Sequence, residues 1–225
     1  MERKAVLIVL FLGAAFGNNL VWAQTPRGMS FPKIFGNWNA VVGAGAAYRV
    51  ETVGDEKPSR FEVALVGQEK VDDKPAYWIE MSLTSDGPDG RAMILKALAS
   101  KVPDDVTINR VIVKAPDQAP IEMPRQMLQR GGAVQKQTFA WKRSAKLLGT
   151  EVINTPAGKF LCEHYQTTDG EETYDLWLSD EVRPYGLVKS QNSRITLLLQ
   201  KILAEQKTKV SEPAKPFALP GVARQ

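Results

Sequence analysis

Apolar side chains recur at every second residue along much of this chain. Arg60-Phe-Glu-Val-Ala-Leu65 puts Phe61, Val63 and Leu65 on one side, and Tyr77 to Leu83 does the same with Tyr77, Ile79, Met81 and Leu83. A period of two is the spacing of a strand with one covered face. Asp72-Asp73-Lys74-Pro75 between these runs is a turn signal, and Asp86-Gly87-Pro88-Asp89-Gly90 breaks the chain before Arg91 to Leu98. The extended pattern resumes from Val106 to Lys114 and stops at Pro116. Ile195 to Leu203 fits a helical spacing as well as a buried strand. The Gln191-Asn192-Ser193 turn favours the strand, as the return arm of a hairpin that begins near Gly186. Short strands separated by turns predict a mainly β protein built on a large antiparallel sheet. Phe31 to Ala47 is rich in Gly and Ala, less clearly patterned, and compatible with part of a helix.

Two ends of the chain depart from this pattern. Arg3 and Lys4 precede an apolar run from Ala5 to Phe16, and Val21-Trp22-Ala23 offers small residues where a signal peptidase reads. Residues 1–23 are expected to be a signal peptide cleaved after Ala23; the alternative is a buried N-terminal helix. The apolar run is shorter than the roughly 20 residues a membrane-spanning helix needs. The residue directly after the cleavage point is Gln24 and not cysteine, which excludes lipid attachment there. The mature protein is expected in a periplasm or outside the cell. Residues 24–206 are expected to form one domain, large enough to bury roughly 70% of the surface its unfolded chain exposes. From Lys207 to the end, prolines and the lack of periodicity predict a flexible tail over 207–225.

Composition changes this picture little, but the placement of charge does more. Hydrophobic residues make up 44% and charged residues 24%, an ordinary globular balance. The net charge of +4 points, for an exported protein, to anionic headgroups and not to nucleic acid. From Met123 to Thr150 there is no acidic residue, while Arg125, Arg130, Lys136, Lys142, Arg143 and Lys146 all fall there, with Phe139 and Trp141 among them. Pro124 and Gly131-Gly132 bracket a short predicted helix, Arg125 to Arg130. Two readings stand: a headgroup-facing site made by Arg125, Arg130, Lys136, Phe139, Trp141, Lys142 and Arg143, or a solvated loop balanced by distant carboxylates.

The only cysteine and the only histidine lie together in Lys159 to Leu178. Asp169-Gly170 is a strong hairpin signal. With those two residues as the loop, His164 faces Asp175, Tyr165 faces Tyr174, Cys162 faces Trp177 and Leu161 faces Leu178. One face then collects Leu161, Tyr165, Tyr174, Leu176 and Leu178 and reads as core. The other collects Cys162, His164, Asp175 and Trp177. Cysteine, histidine and aspartate on one face suggest a nucleophile, base and orienting acid. Against this, Cys162 and His164 stand parallel and about 7 Å apart on one strand, and no strained turn or helix end presents the thiol. The cluster therefore reads as structural. Two soft ligands are too few for zinc, so no metal is expected, and no phosphate-cradling loop, zinc-protease motif or nucleophile elbow occurs. No cofactor is expected.

The run Asn154-Thr-Pro-Ala-Gly-Lys-Phe-Leu-Cys-Glu-His-Tyr, with Asp175-Leu-Trp-Leu-Ser and Arg183-Pro-Tyr-Gly-Leu-Val-Lys after it, resembles exported bacterial proteins of poorly known function. These are similar in turn to periplasmic lipoprotein carriers of the LolA and LolB type. The resemblance implies a curved antiparallel sheet, an incomplete barrel, with a few helices over its open side and an apolar cavity for acyl chains. Two functions follow as expectations: a carrier for a lipid or lipoprotein acyl chain, or a ligand-free structural or interaction component of the envelope. A Cys/His enzyme ranks behind both.

Overall fold

The computed structural model describes residues 36–85, 92–102, 105–124, 141 and 145–217. Twelve strands make one sheet: β1 (Gly45–Thr52), β2 (Ser59–Val71), β3 (Lys74–Ser85), β4 (Ala92–Val102), β5 (Asp105–Lys114), β6 (Ile121–Glu122), β7 (Lys146–Thr155), β8 (Gly158–Asp169), β9 (Glu172–Leu178), β10 (Leu187–Gln191), β11 (Ile195–Leu203) and β12 (Lys215–Pro216). Their order is β12-β6-β5-β4-β3-β2-β1-β11-β10-β9-β8-β7. The sheet is open and curved, as expected, and every pairing is antiparallel except the short β12–β6 contact. Among the described residues no helix covers it; Trp141 alone is helical. The predicted helix over Arg125 to Arg130 and the signal segment lie outside the described residues.

Alternation places the core. Tyr48 and Val50 of β1, Phe61, Val63 and Leu65 of β2, Ile79 and Leu83 of β3, and Leu197 and Leu199 of β11 are buried side by side on one face. The Tyr48 ring lies against Phe61, and its hydroxyl donates to the Leu187 carbonyl at 2.9 Å in a fully buried bond. β1 is a correction to the sequence reading, which left Phe31–Ala47 unpatterned. Its entry is Gly45-Ala46-Ala47, small because the strands pack closely there. A Cβ on Gly45 would stand 2.7 Å from the Val63 carbonyl oxygen.

At the β7 end the sheet coils. β7 comes within 8 Å of β10 and β11 although β8 and β9 separate them in the sheet. Flat strands spaced about 4.8 Å apart would put β10 roughly 14 Å away. The covered side of β8 changes along its length to match. Phe160 and Cys162 are buried in the first half, Thr167 in the second. Leu161, read from the sequence as core, is therefore 63% exposed. It lies on the half of the hairpin that extends past the last β9 pairing, Glu163 with Leu178, where only β7 flanks it.

The tail is the second correction. As far as Phe217 it is a strap across the outer face, not a flexible end. Val210 is buried with Ile94 and Ile112, with Trp78 and Ala214 packed around them. Glu80, itself buried, accepts from the Lys209 amide at 2.9 Å and the Thr208 hydroxyl at 2.6 Å, while Lys96 donates to that hydroxyl at 2.9 Å. The Lys209 ammonium bridges Ser82, at 3.0 Å, and Glu62. β12 then caps β6, with Lys215 N donating to the Pro120 carbonyl. These bonds join residues 95 to 147 positions apart, so no local pattern announces them.

Candidate functional site

The hairpin pairs Asp169 with Glu172, Thr168 with Thr173 and His164 with Trp177. The loop is Gly170-Glu171, two residues on in pairing sum from the expected Asp169-Gly170 arrangement. Gly170 takes positive φ, 64°, at the first central position and Glu171 does not, which is the type II′ pattern. A shift of two leaves every side chain on its expected face. Cys162, His164, Asp175 and Trp177 do share a side, but Cys162 does not face Trp177.

Four strands converge on His164. Its Nε2 lies 3.1 Å from Asp175 Oδ1 on β9, a diagonal contact, and its Nδ1 lies 3.1 Å from Glu151 Oε1 on β7. Whichever ring nitrogen carries a proton thus finds a carboxylate to accept it. The imidazole stacks on the Trp177 indole, centroids 4.3 Å apart and 19° between planes. Trp177 Nε1 donates to Glu151 Oε1 at 2.6 Å, and from β10 the Lys189 ammonium sits 4.3 Å from the indole centroid. Such a cation over a tryptophan adds about 0.5–1 kcal/mol at an accessible site. Gln166 also donates to Asp175. Glu151 and Lys189 escaped the sequence reading because β7 carries no apolar alternation and the β9–β10 register crosses an irregular loop.

This constellation fastens strands together; it does not assemble a nucleophile. Cys162 is fully buried, and its thiol donates to its neighbour Phe160's carbonyl at 3.5 Å. Burial first, then the carboxylates of Glu151 and Glu181, push its pKa up to about 11. At neutral pH the thiol stays protonated, the form that neither attacks nor binds metal. Among the described residues no cluster of three or more His, Cys, Asp or Glu is placed to hold a metal ion.

Of the seven residues expected to face a headgroup, only Trp141 is among the described residues. It is buried, with its indole N–H donating to the Gly36 carbonyl at 3.1 Å and its ring edge-on to Tyr165. It packs inside the protein and does not stand at a headgroup surface. Arg125, Arg130, Lys136, Phe139, Lys142 and Arg143 lie outside the described residues.

Opposite the sheet's apolar face runs the segment from Gly36 to Ala44. Asn37 and Asn39 amides donate to the carbonyls of Tyr185, at 2.7 Å, and Pro184, at 2.8 Å. Between them Trp38 is held edge-on by Tyr77 of β3, 5.9 Å away, and by Tyr185, 5.6 Å away. Trp38 and Tyr77 are only partly buried, while Tyr185 belongs to the core.

No family model matches this chain, and no curated protein matches it. Several solved structures are similar to it, two of them as follows. A proposed lipoprotein from Parabacteroides distasonis aligns over 76% of this chain and 100% of its own, at 12% identity and a TM-score of 0.37. A proposed exported protein with a YmcC-like fold from Bacteroides fragilis aligns over 75% of this chain and 99% of its own, at 11% identity and a TM-score of 0.37.

Proposed function

We propose that this is an exported, non-catalytic binding protein whose curved sheet receives an apolar ligand, such as the acyl chain of a lipid or lipoprotein. Export rests on the basic, apolar and small-residue order of residues 1–23. The binding reading rests on one observation above the others. A continuous apolar face crosses the sheet, and Trp38, itself only partly buried, lies over it with its ring edge-on to Tyr77 and Tyr185. An acyl chain entering there would take the place of Trp38. The resemblance of Asn154–Lys189 to exported proteins that are similar in turn to lipoprotein carriers supports this reading, and an anionic membrane surface is the proposed partner of the basic stretch.

The alternative, a ligand-free interaction component of the envelope, is favoured by the burial of Tyr48, Phe61, Leu65 and Leu199, which already fill space against one another. Native mass spectrometry of protein purified from its own envelope separates the two. A carrier retains added lipid mass and binds a fluorescent fatty acid, and Trp38→Ala changes that affinity while leaving the fold intact. Ligand-free protein that ignores the fatty acid ends the carrier reading.

A further inference from the structure

The two edges of the sheet are treated differently. On one, the chain lays its own tail beside β6 as β12. On the other, β7 is the last strand, with β8 on one side and no strand on the other among the described residues. Its first seven residues, Lys146 to Val152, are all exposed. Natural edge strands are usually shielded by prolines, dense charge or short length. β7 is ten residues long, has no proline and shows Leu147 at 53% and Val152 at 56% exposure, beside Leu161 of β8 at 63%.

The register with β8 says how these residues are arranged. Leu147 pairs with Tyr165 and Gly149 with His164, so Leu148 is the extra residue of a bulge. Leu147, Thr150, Val152 and Asn154 therefore share one face, and Lys146, Gly149, Glu151 and Ile153 the other. That pattern is symmetric about Thr150. Folded on itself antiparallel, β7 sets Leu147 opposite Val152, Gly149 opposite Glu151 and Lys146 opposite Ile153. Lys146 is then diagonal to Glu151, within reach of a long side chain.

We infer that β7 is a self-association edge: a second copy of this chain pairs its β7 antiparallel to the first about a twofold axis through Thr150. Leu147 meets Val152 of the second copy, twice by symmetry, and Lys146 meets Glu151 of the second copy, also twice. The apolar and the charged positions both match under this operator, which closes the assembly at two copies. A β7 edge joined instead to the β6–β12 edge would be head-to-tail and open-ended.

The test uses the full mature chain. Light scattering after gel filtration at micromolar concentration is expected to show a dimer. Thr150→Cys is expected to form a disulfide-linked dimer on mild oxidation, since an axial pair lies within the 4.4–6.8 Å Cα separation a disulfide spans. Asn154→Cys, exposed on the same face of the same strand, is the control. Its symmetry mate lies roughly eight residue steps away, about 27 Å, and it is expected to form no disulfide-linked dimer under the same oxidation. Leu147→Asp with Val152→Asp is expected to weaken the dimer roughly ten-fold or more by like-charge apposition, with circular dichroism unchanged because both sites are exposed. A monomeric wild type, a dimer that survives the double substitution, open-ended polymers, or equal cross-linking through residue 154 would each overturn the inference.

Discussion

Val210 anchors the strap, and removing its two terminal methyl groups tests whether the tail belongs to the folded unit. The side chain is 6% exposed, packed with Ile94 and Ile112 and flanked by Trp78 and Ala214. Val210→Ala withdraws two methyl groups from that contact, about 1.6 kcal/mol at roughly 0.8 kcal/mol each, and somewhat more where the gap does not collapse. If the strap opens locally, the Lys209 amide, which donates to Glu80, exchanges with solvent roughly fifteen-fold faster while the melting temperature barely moves. If strap and sheet unfold together, the melting temperature falls by about 3–6 °C. Hydrogen exchange read by mass spectrometry, beside a thermal melt, distinguishes the two. Unchanged exchange at 205–217 together with an unchanged melt would refute the account of the tail as a packed element.

Three further outcomes follow from the same contacts. Tyr48→Phe leaves the Leu187 carbonyl without its buried donor, and the loss is expected at roughly 1–2 kcal/mol in a urea titration. Cys162, with its pKa near 11, is expected to resist a thiol reagent at pH 8 until the protein is unfolded, and rapid modification of the native state would contradict its burial. For Glu62, burial raises the pKa, but the hydrogen bond and charge of Lys209, with Arg60, outweigh it and hold the carboxyl below its ordinary range. A lowered folded-state pKa contributes stability above the unfolded value, and that contribution is lost as pH falls through the folded one. Strap exchange should therefore accelerate on the acid side of the usual carboxylate range, and Glu62→Gln should remove that pH dependence.

Alternation made β2, β3, β4, β5, β8, β9 and the β10–β11 hairpin legible, because each covers one face more than the other and a period of two registers that asymmetry. β7 was illegible for the converse reason: exposed on both sides, it has no apolar rhythm. β1 hid behind small residues selected for close backbone approach. The hairpin was read two residues out because Gly170 alone supplies the positive φ, yet the even slip preserved both faces and so His164 still meets Asp175. Leu161 failed because the covered side of β8 changes midway, a property of how the sheet coils and not of local sequence. In the strap, the absence of periodicity was read as flexibility. Its order comes from Glu80 and Glu62, whose partners lie far along the chain.

The place of β1 governs how the chain can fold. β1 through β6 and β7 through β11 are each built of neighbours in sequence, apart from the break between the blocks. Among the described residues the one strand pairing that joins them is β1 with β11, which brings Gly45 beside Leu203, 158 positions later. Closing such a distant contact costs loop entropy before any pairing repays it and slows folding. Until β11 emerges, the strand that will sit mid-sheet presents an open edge. A chain made from its N-terminus onward therefore cannot complete its sheet until its last strands are present.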